Sequence, residues 1–402
     1  MRFTLRGARL VDATMEIPEG DITIDGMHIK AVGEAGQAHA MHDSIIDAAA
    51  SIVMPGFIDV HTHGGGGFNL HTTDAAEISA YARWVATTGV TSFLIGVVGT
   101  PGALPEAQLL AAVEAVERCE TGLGAEPLGI HLEGPYINVL RKGAHLPIWL
   151  RMPDPAETER VLALTRGCLR LITLAPELPG ASTMIRRLVE AGVTVSMGHT
   201  DATYEQAQEA IQLGVTHMTH CFNAMRPIHH RAPGPIEAVV QAPQVRGELI
   251  ADGVHVHPAV MNVLVKLLGP QRIIVITDAL AGAGLTDATF EFAGQHAQVI
   301  CGAARLADGT LTGSVLTLEQ ALRNMLQMTH VSLQEAVTML TYTPAQAACA
   351  SGHKGCLRAG YDADLLIFDS ALTLQATICR GKVAFATELW RERLKSTGRL
   401  RT

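Results

Sequence analysis

The sequence predicts an α/β protein: a (β/α)8 barrel of the TIM type, with a small β-sandwich built from both chain termini. Three observations predict it. Between Gly56 and about residue 354, short apolar runs alternate with amphipathic stretches, the rhythm of parallel strands joined by helices. Histidines or carboxylates close several of these runs, one group per run, and a barrel gathers the C-terminal ends of its strands around one point. Outside this range both ends of the chain show the period of two expected of β-strands. The expected division is 1–54 with 355–402 for the β domain and 55–354 for the barrel.

Taken in order, Phe3-Thr4-Leu5 and Asp21-Ile22-Thr23-Ile24 alternate, the latter meeting a turn at Asp25-Gly26, and Ile52-Val53-Met54 leads into Pro55-Gly56. Phe57-Ile58-Asp59-Val60 is short and apolar enough to be a buried first barrel strand. A helical stretch over 74–88 ends near Gly89, and Val90–Ile95 is the second strand. Helix 104–119 has Leu109, Leu110, Val113 and Val116 spaced for one face. Leu128–Leu132, Leu171–Glu177 and Val193–Met197 follow as strands. Helix 204–213 stops at Gly214, His217-Met218-Thr219 is a short strand, and Glu248–Ala251 and Ile273–Ile276 complete eight. After about 354, Gly355–Leu357, Ala363–Phe368 and Gln375–Arg380 read as strands again. Each terminal segment is too small to be stable alone, so the two are expected to pair beside the barrel.

Bulk composition narrows the partners. A barrel takes about 250 residues, and 402 leave room for the accessory module. Aromatic residues make up 4%, too few for an extended base-stacking surface. The net charge is −9 with no basic run, which argues against nucleic acid or another polyanion. Local Arg and His side chains can still serve a small anion. Seven scattered cysteines (119, 168, 221, 301, 349, 356, 379) form no C-x-x-C pair, as expected of a reduced, cytoplasmic protein. The opening Met1–Gly7 reads as a strand without the apolar region of a signal peptide, and no apolar run of about 20 residues suggests a membrane span.

The strand-end residues carry the chemistry. His61-Thr62-His63 puts two imidazoles on one face, because alternate strand residues point the same way. Glu133 closes His131-Leu132-Glu133-Gly134-Pro135, as a metal ligand or a general base. His199 and His220 end two further strands; with Glu133 they offer three protein ligands and leave a position for water, as in catalytic zinc sites. Asp278, in Thr277-Asp278-Ala279, suits a general base and acid beside such a metal, or a further ligand. No lysine ends a barrel strand, which counts against a carboxylated-lysine bridge. Arg231 and His255, in loops just past strand ends, with His145 and backbone near Asn223, form a second cluster suited to an anionic substrate.

These strings resemble the N-acetylglucosamine-6-phosphate deacetylases of the amidohydrolase superfamily, almost end to end. The resemblance rests on Pro55-Gly56-Phe57-Ile58-Asp59-x-His61-x-His63-Gly64, His131–Pro135, Lys142-Gly143-Ala144-His145, Leu174–Glu177, Gly198-His199-Thr200, Thr219-His220-x-Phe222-Asn223-Ala224-Met225, Asp252-Gly253-x-His255, Thr277-Asp278-Ala279 and Gly313-Ser314. It implies one or two divalent metals per subunit: a principal one held by Glu133, His199 and His220, and a second held by His61 and His63, as in members that keep both histidines. Zinc comes first, with iron, manganese or cobalt as alternatives. It further implies that Asp278 activates water and protonates the leaving amine, and that His145 hydrogen-bonds the acetyl oxygen. Ala144 would lie against the substrate, and Arg231, His255, Asn223 and Ala224 would grip a 6-phosphate. A homodimer, with a neighbouring subunit contributing to that grip, is also implied. The expected reaction is deacetylation of N-acetylglucosamine 6-phosphate. The galacto epimer, N-acyl amino acids or cyclic amides are alternative substrates, and a non-catalytic sugar-phosphate-binding protein is the distant alternative. Ile95–Thr100, Val139-Leu140, Cys221 and Arg226 depart from the family pattern, around the substrate loops.

Overall fold

The protein was analysed as a computed structural model, which describes residues 2–37, 44–120, 122–286, 288–292, 294–300 and 302–395. Cys301 lies outside the described residues; the six described cysteines are free.

Eight parallel strands pair in chain order: β1 (Phe57–Asp59), β2 (Val90–Val97), β3 (Glu126–Glu133), β4 (Leu169–Leu174), β5 (Thr194–Met197), β6 (His217–Met218), β7 (Arg246–Ile250) and β8 (Ile273–Ile276). Helices fill the connections, so each strand is covered on both faces and reads as a near-continuous apolar run. Local chemistry sets the helix ends. Asp74 caps Ala75–Val85 by accepting from the Ala76 amide, and Thr203 with Gln206 forms a capping box on Tyr204–Gln212. The first helix runs into a 3-10 turn over Ala86–Thr88 and stops at Gly89, whose φ of 87° suits a residue without Cβ. In Glu106–Glu117 the buried face is built on Leu109, Ala112 and Val113, while Leu110 faces solvent, because adjacent helix positions lie about 100° apart.

The barrel closes just beyond the ends of β1 and β8. The Asp278 amide donates to the His61 carbonyl and the His63 amide to the Ala279 carbonyl, each at 2.8 Å. The Thr277 hydroxyl donates to Asp59 Oδ2 at 2.6 Å. Asp59 is fully buried, and burial pushes its carboxyl up to about 7 against hydrogen bonds from Thr277 and His61. The closing seam therefore sets Asp278 beside the His61-x-His63 pair.

The terminal strands form one eight-stranded sheet around a core of their own. Arg2–Val11 is central. It pairs antiparallel with Glu16–Asp25, and parallel with Ser44–Asp47 along its first half and with Ile52–Pro55 further on. Ile52–Pro55 in turn pairs antiparallel with Leu365–Phe368, which joins the two chain ends. Phe3, Leu5, Ile22, Leu365 and Ile378 fill this core, and the helix Glu388–Leu394 adds Trp390 and Leu394.

After β8 the chain forms a small antiparallel sheet, Thr289–Phe292, Gln295–Ile300 and Ala303–Leu306, which the sequence reading does not anticipate. Its strands are short and broken by glycines, too brief for periodicity to stand out. It reaches over the barrel mouth: Gln295 donates to the Ala144 carbonyl at 2.9 Å, and the Phe292 ring lies 5.4 Å from that of His63. No described helix is long and apolar enough to cross a membrane.

Candidate metal centre and active site

His61, His63, Glu133, His199, His220 and Asp278 come from the C-terminal ends of β1, β3, β5, β6 and β8 and meet at one point. Three of them hold backbone that L-residues adopt at a cost: φ is 47° at His199, 27° at His220 and 47° at Asp278. Such left-handed positions cost about 1–3 kcal/mol each. They turn the chain sharply at the strand end and send the side chain inward.

Five imidazoles face the carboxylate of Glu133. To Oε1 the Nε2 distances are 3.1 Å from His199, 3.3 Å from His220 and 3.4 Å from His61. To Oε2 they are 3.1 Å from His63 and 3.4 Å from His145. The Nε2 atoms of His199 and His220 are 3.0 Å apart, and those of His61 and His63 are 3.3 Å apart. Asp278 Oδ1 lies 3.5 Å from both His61 and His63.

Tautomers decide what this cluster offers. His199 Nδ1 is 2.8 Å from the Arg141 carbonyl, which can only accept, so Nδ1 carries the proton and neutral His199 presents a bare Nε2. His61 Nδ1 donates to Glu248 Oε2 at 2.9 Å with the same result. Lone pairs then face carboxylate oxygens at contact distance, which is unfavourable unless a cation lies among them. The donor set of imidazole nitrogen and carboxylate oxygen fits a divalent metal, in two overlapping groups that share Glu133: His61 with His63, and His145 with His199; His220 adjoins the second, 3.0 Å from His199 and 3.3 Å from Glu133. The field agrees. Burial works against charge on His61, yet Glu133, Glu248 and Asp278 hold its proton affinity well above the usual range. Burial likewise raises Glu133, but positive charge at the surrounding imidazoles, His61 first, holds it well below the usual range, so in the absence of a cation protons take its place.

Beside this cluster opens a cavity of about 160 Å³ that Ala144, His145, Asn223, Ala224, His255 and Asp278 help to line. His255 Nδ1 donates to Asp252 Oδ2 at 2.6 Å, and Asp252 also accepts from the amides of Val254 and His255 at 2.8 Å. Burial lowers the His255 pKa, but the bond to Asp252 outweighs it and the net direction is upward. Arg231 stands apart from the cavity lining. It is exposed, with its guanidinium 2.7 Å from His230 Nε2. Arg226 is tied to Asp201, which also binds Arg141.

The sequence reading does not single out Glu248, the Arg141 carbonyl or Phe292. Glu248 left one signal: a carboxylate at the head of the run Glu248-Leu249-Ile250-Ala251, which is otherwise fit only for burial.

A parallel barrel with histidines and carboxylates at the ends of its strands defines a metal-dependent hydrolase by its architecture. The chain belongs to the amidohydrolase family, whose model matches residues 52–384. It is 35% identical over 398 residues to an N-acetylglucosamine-6-phosphate deacetylase of Lysinibacillus sphaericus, covering 96% of this chain and 99% of that one. To an N-acetylgalactosamine-6-phosphate deacetylase of Escherichia coli O157:H7 it is 36% identical over 343 residues, covering 85% and 90%. Among solved structures, an N-acetyl-D-glucosamine-6-phosphate deacetylase from Mycobacterium smegmatis superposes with a TM-score of 0.89 at 35% identity. That match covers 96% of this chain and 100% of that one, and the protein was solved as an Asp-to-Ala variant in complex with N-acetyl-D-glucosamine-6-phosphate.

Proposed function

We propose that this protein hydrolyses the acetamide of N-acetyl-D-glucosamine 6-phosphate, giving D-glucosamine 6-phosphate and acetate. The observation that carries this reading is the convergence of Glu133, His199, His220 and Asp278 on a cavity that His255 also lines, in a chain alike to such deacetylases over nearly its full length.

Glu133, His199 and His220 would hold the principal divalent cation, and His61 with His63 would hold a second. When bound, such a cation supplies Lewis acidity toward a carbonyl oxygen and toward water. Asp278 takes a proton from the attacking water and delivers it to the amide nitrogen, which leaves as an amine. His145 donates a hydrogen bond to the acetyl oxygen as negative charge develops there. His255, kept charged by Asp252, meets the 6-phosphate with the backbone around Asn223 and Ala224; Arg231, which rests on His230 outside the cavity lining, would have to swing inward from its loop to join them. Zinc is the metal we assign, supported by a set of imidazole and carboxylate donors of the kind catalytic zinc takes. A homodimer is supported by exposed Val139, Leu140 and Ile148 in one loop segment, and a reducing, cytoplasmic location by six free cysteines among the described residues.

The test is release of acetate and free amine by metal-analysed protein from N-acetylglucosamine 6-phosphate, its galacto epimer, and unphosphorylated N-acetylglucosamine. Turnover confined to phosphorylated sugars is expected. The similarity to an N-acetylgalactosamine-6-phosphate deacetylase is the reason to include the epimer. Metal-loaded protein inactive on all three would overturn the substrate.

A further inference from the structure

We propose that Glu248 is the positioning residue of the second cation site, the one formed by His61, His63 and Glu133; this rests on the metal-centre reading above. Glu248 begins the inward-facing part of β7 and is fully buried, 0% exposed, next to Leu249 and Ile250. A carboxylate in such a place needs donors. Two reach its Oε2, His61 Nδ1 at 2.9 Å and the His220 amide at 3.2 Å, while Oε1 has no hydrogen-bond partner among the described residues.

The first of these bonds decides what His61 can do. With its proton held on Nδ1, His61 aims its Nε2 lone pair at the space bounded by Glu133 Oε1 at 3.4 Å, Asp278 Oδ1 at 3.5 Å and His63 Nε2 at 3.3 Å. A carboxylate behind an imidazole also makes the opposite nitrogen a stronger donor to a cation. His63 lacks such support, since its Nδ1 has no partner among the described residues. The pair therefore depends on Glu248 for its orientation. The Glu133, His199 and His220 set has a separate device, the Arg141 carbonyl that orients His199. Glu248 bonds the side chain of His61 but the backbone amide of His220, which a glutamine oxygen can still accept, so a change at position 248 should fall chiefly on the site that His61 serves.

The experiment is calorimetric titration of the metal-stripped full chain with Zn²⁺, with elemental analysis, on wild type and on Glu248→Gln. The glutamine keeps the size and an acceptor but removes the charge. Wild type is expected to bind two ions per chain. Glu248→Gln is expected to bind one with unchanged affinity and the other about 10–100-fold more weakly, the usual range for loss of such a partner. Unchanged affinity for both ions in the variant would overturn the proposal, as would a wild type that binds a single ion. If the variant does not fold, the imidazole ¹⁵N spectrum of zinc-loaded wild type decides. A protonated Nδ1 with Nε2 on the metal at His61 supports the proposal, and a protonated Nε2 or a metal-free His61 overturns it. None of these readouts uses turnover, so failure of the deacetylase reading would appear separately, as an inactive protein with two intact ion sites.

Discussion

Strand β3 carries a buried polar cluster at each of its ends, and the two are built on opposite logic. At its start, Glu126 belongs to a knot in which Lys354 Nζ lies 2.6 Å from Asp364, 2.8 Å from Asp362 and 2.9 Å from Glu126, and Arg380 adds a bond of 3.0 Å to Glu126. At its end, Glu133 sits among five imidazoles and Asp278. In the knot, cations meet anions and the groups satisfy one another. At the mouth, acceptors meet acceptors, and two of the imidazoles have their protons fixed on the far side by Glu248 and Arg141. A self-satisfied cluster is structural, here joining barrel strand to terminal sheet. A cluster whose lone pairs all point to one place is unfinished without a cation, and that is where chemistry belongs.

Substitutions at the two ends should separate rate from stability. The largest effect is expected for Asp278→Asn: kcat falls about 10²–10⁴-fold, the contribution of a general acid and base, with metal content and melting temperature unchanged. An active, metal-replete variant would remove Asp278 from proton transfer. Lys354→Met is the mirror image. It leaves Asp362 and Asp364 without their cation, while Glu126 keeps Arg380, and should cost about 3–5 kcal/mol of stability, read as a lower denaturation midpoint. The kcat per folded molecule should not change. Loss of kcat with an unaltered midpoint would erase the distinction between the clusters.

The Asp252–His255 pair is an intermediate case, internally satisfied yet facing the cavity. His255→Ala is expected to weaken binding of phosphorylated substrate by about 1.5–3 kcal/mol, the range for a hydrogen bond to a charged group, seen in KM. Because the His255 pKa is raised, its charged form persists to higher pH than for a free histidine. KM for the phosphorylated sugar should therefore stay low to higher pH than a free histidine would allow, and climb as His255 loses its proton. The KM of the unphosphorylated sugar should be flat across the same range; a parallel climb would argue against a phosphate contact. Arg231→Ala, at an exposed position, should have the smallest effect, about 1 kcal/mol or less, confined to phosphorylated substrates.

How much was legible in the sequence follows from how each residue acts. His61, His63, Glu133, His199, His220 and Asp278 stand out because each follows an apolar run, and barrel topology alone brings such positions together. The pairing of the chain ends was legible for a similar reason, since neither β segment could stand alone. Glu248 was not, because its partner His61 lies 187 positions away and no periodicity links them. Closure of the barrel through Asp278 and His61 backbone, rather than a ladder between β1 and β8, is likewise a matter of register that composition does not encode. The sheet over residues 289–306 escaped because its strands are of only four to six residues. For Arg231, residue type suggested an anion contact, but loop position governs where the guanidinium goes, and here it rests on His230.

The pairing of Ile52–Pro55 with Leu365–Phe368 has a consequence for how the molecule is made. The earlier strand leaves the ribosome while its partner is still roughly 300 residues from being translated, an interval of about 15–60 s at ~5–20 residues per second. Throughout it, the edge destined for Leu365–Phe368 is open to other chains. Completion of the terminal sheet is therefore a late step in biosynthesis, and a nascent chain stalled inside the barrel would expose that edge as a point of capture for chaperones or of co-aggregation.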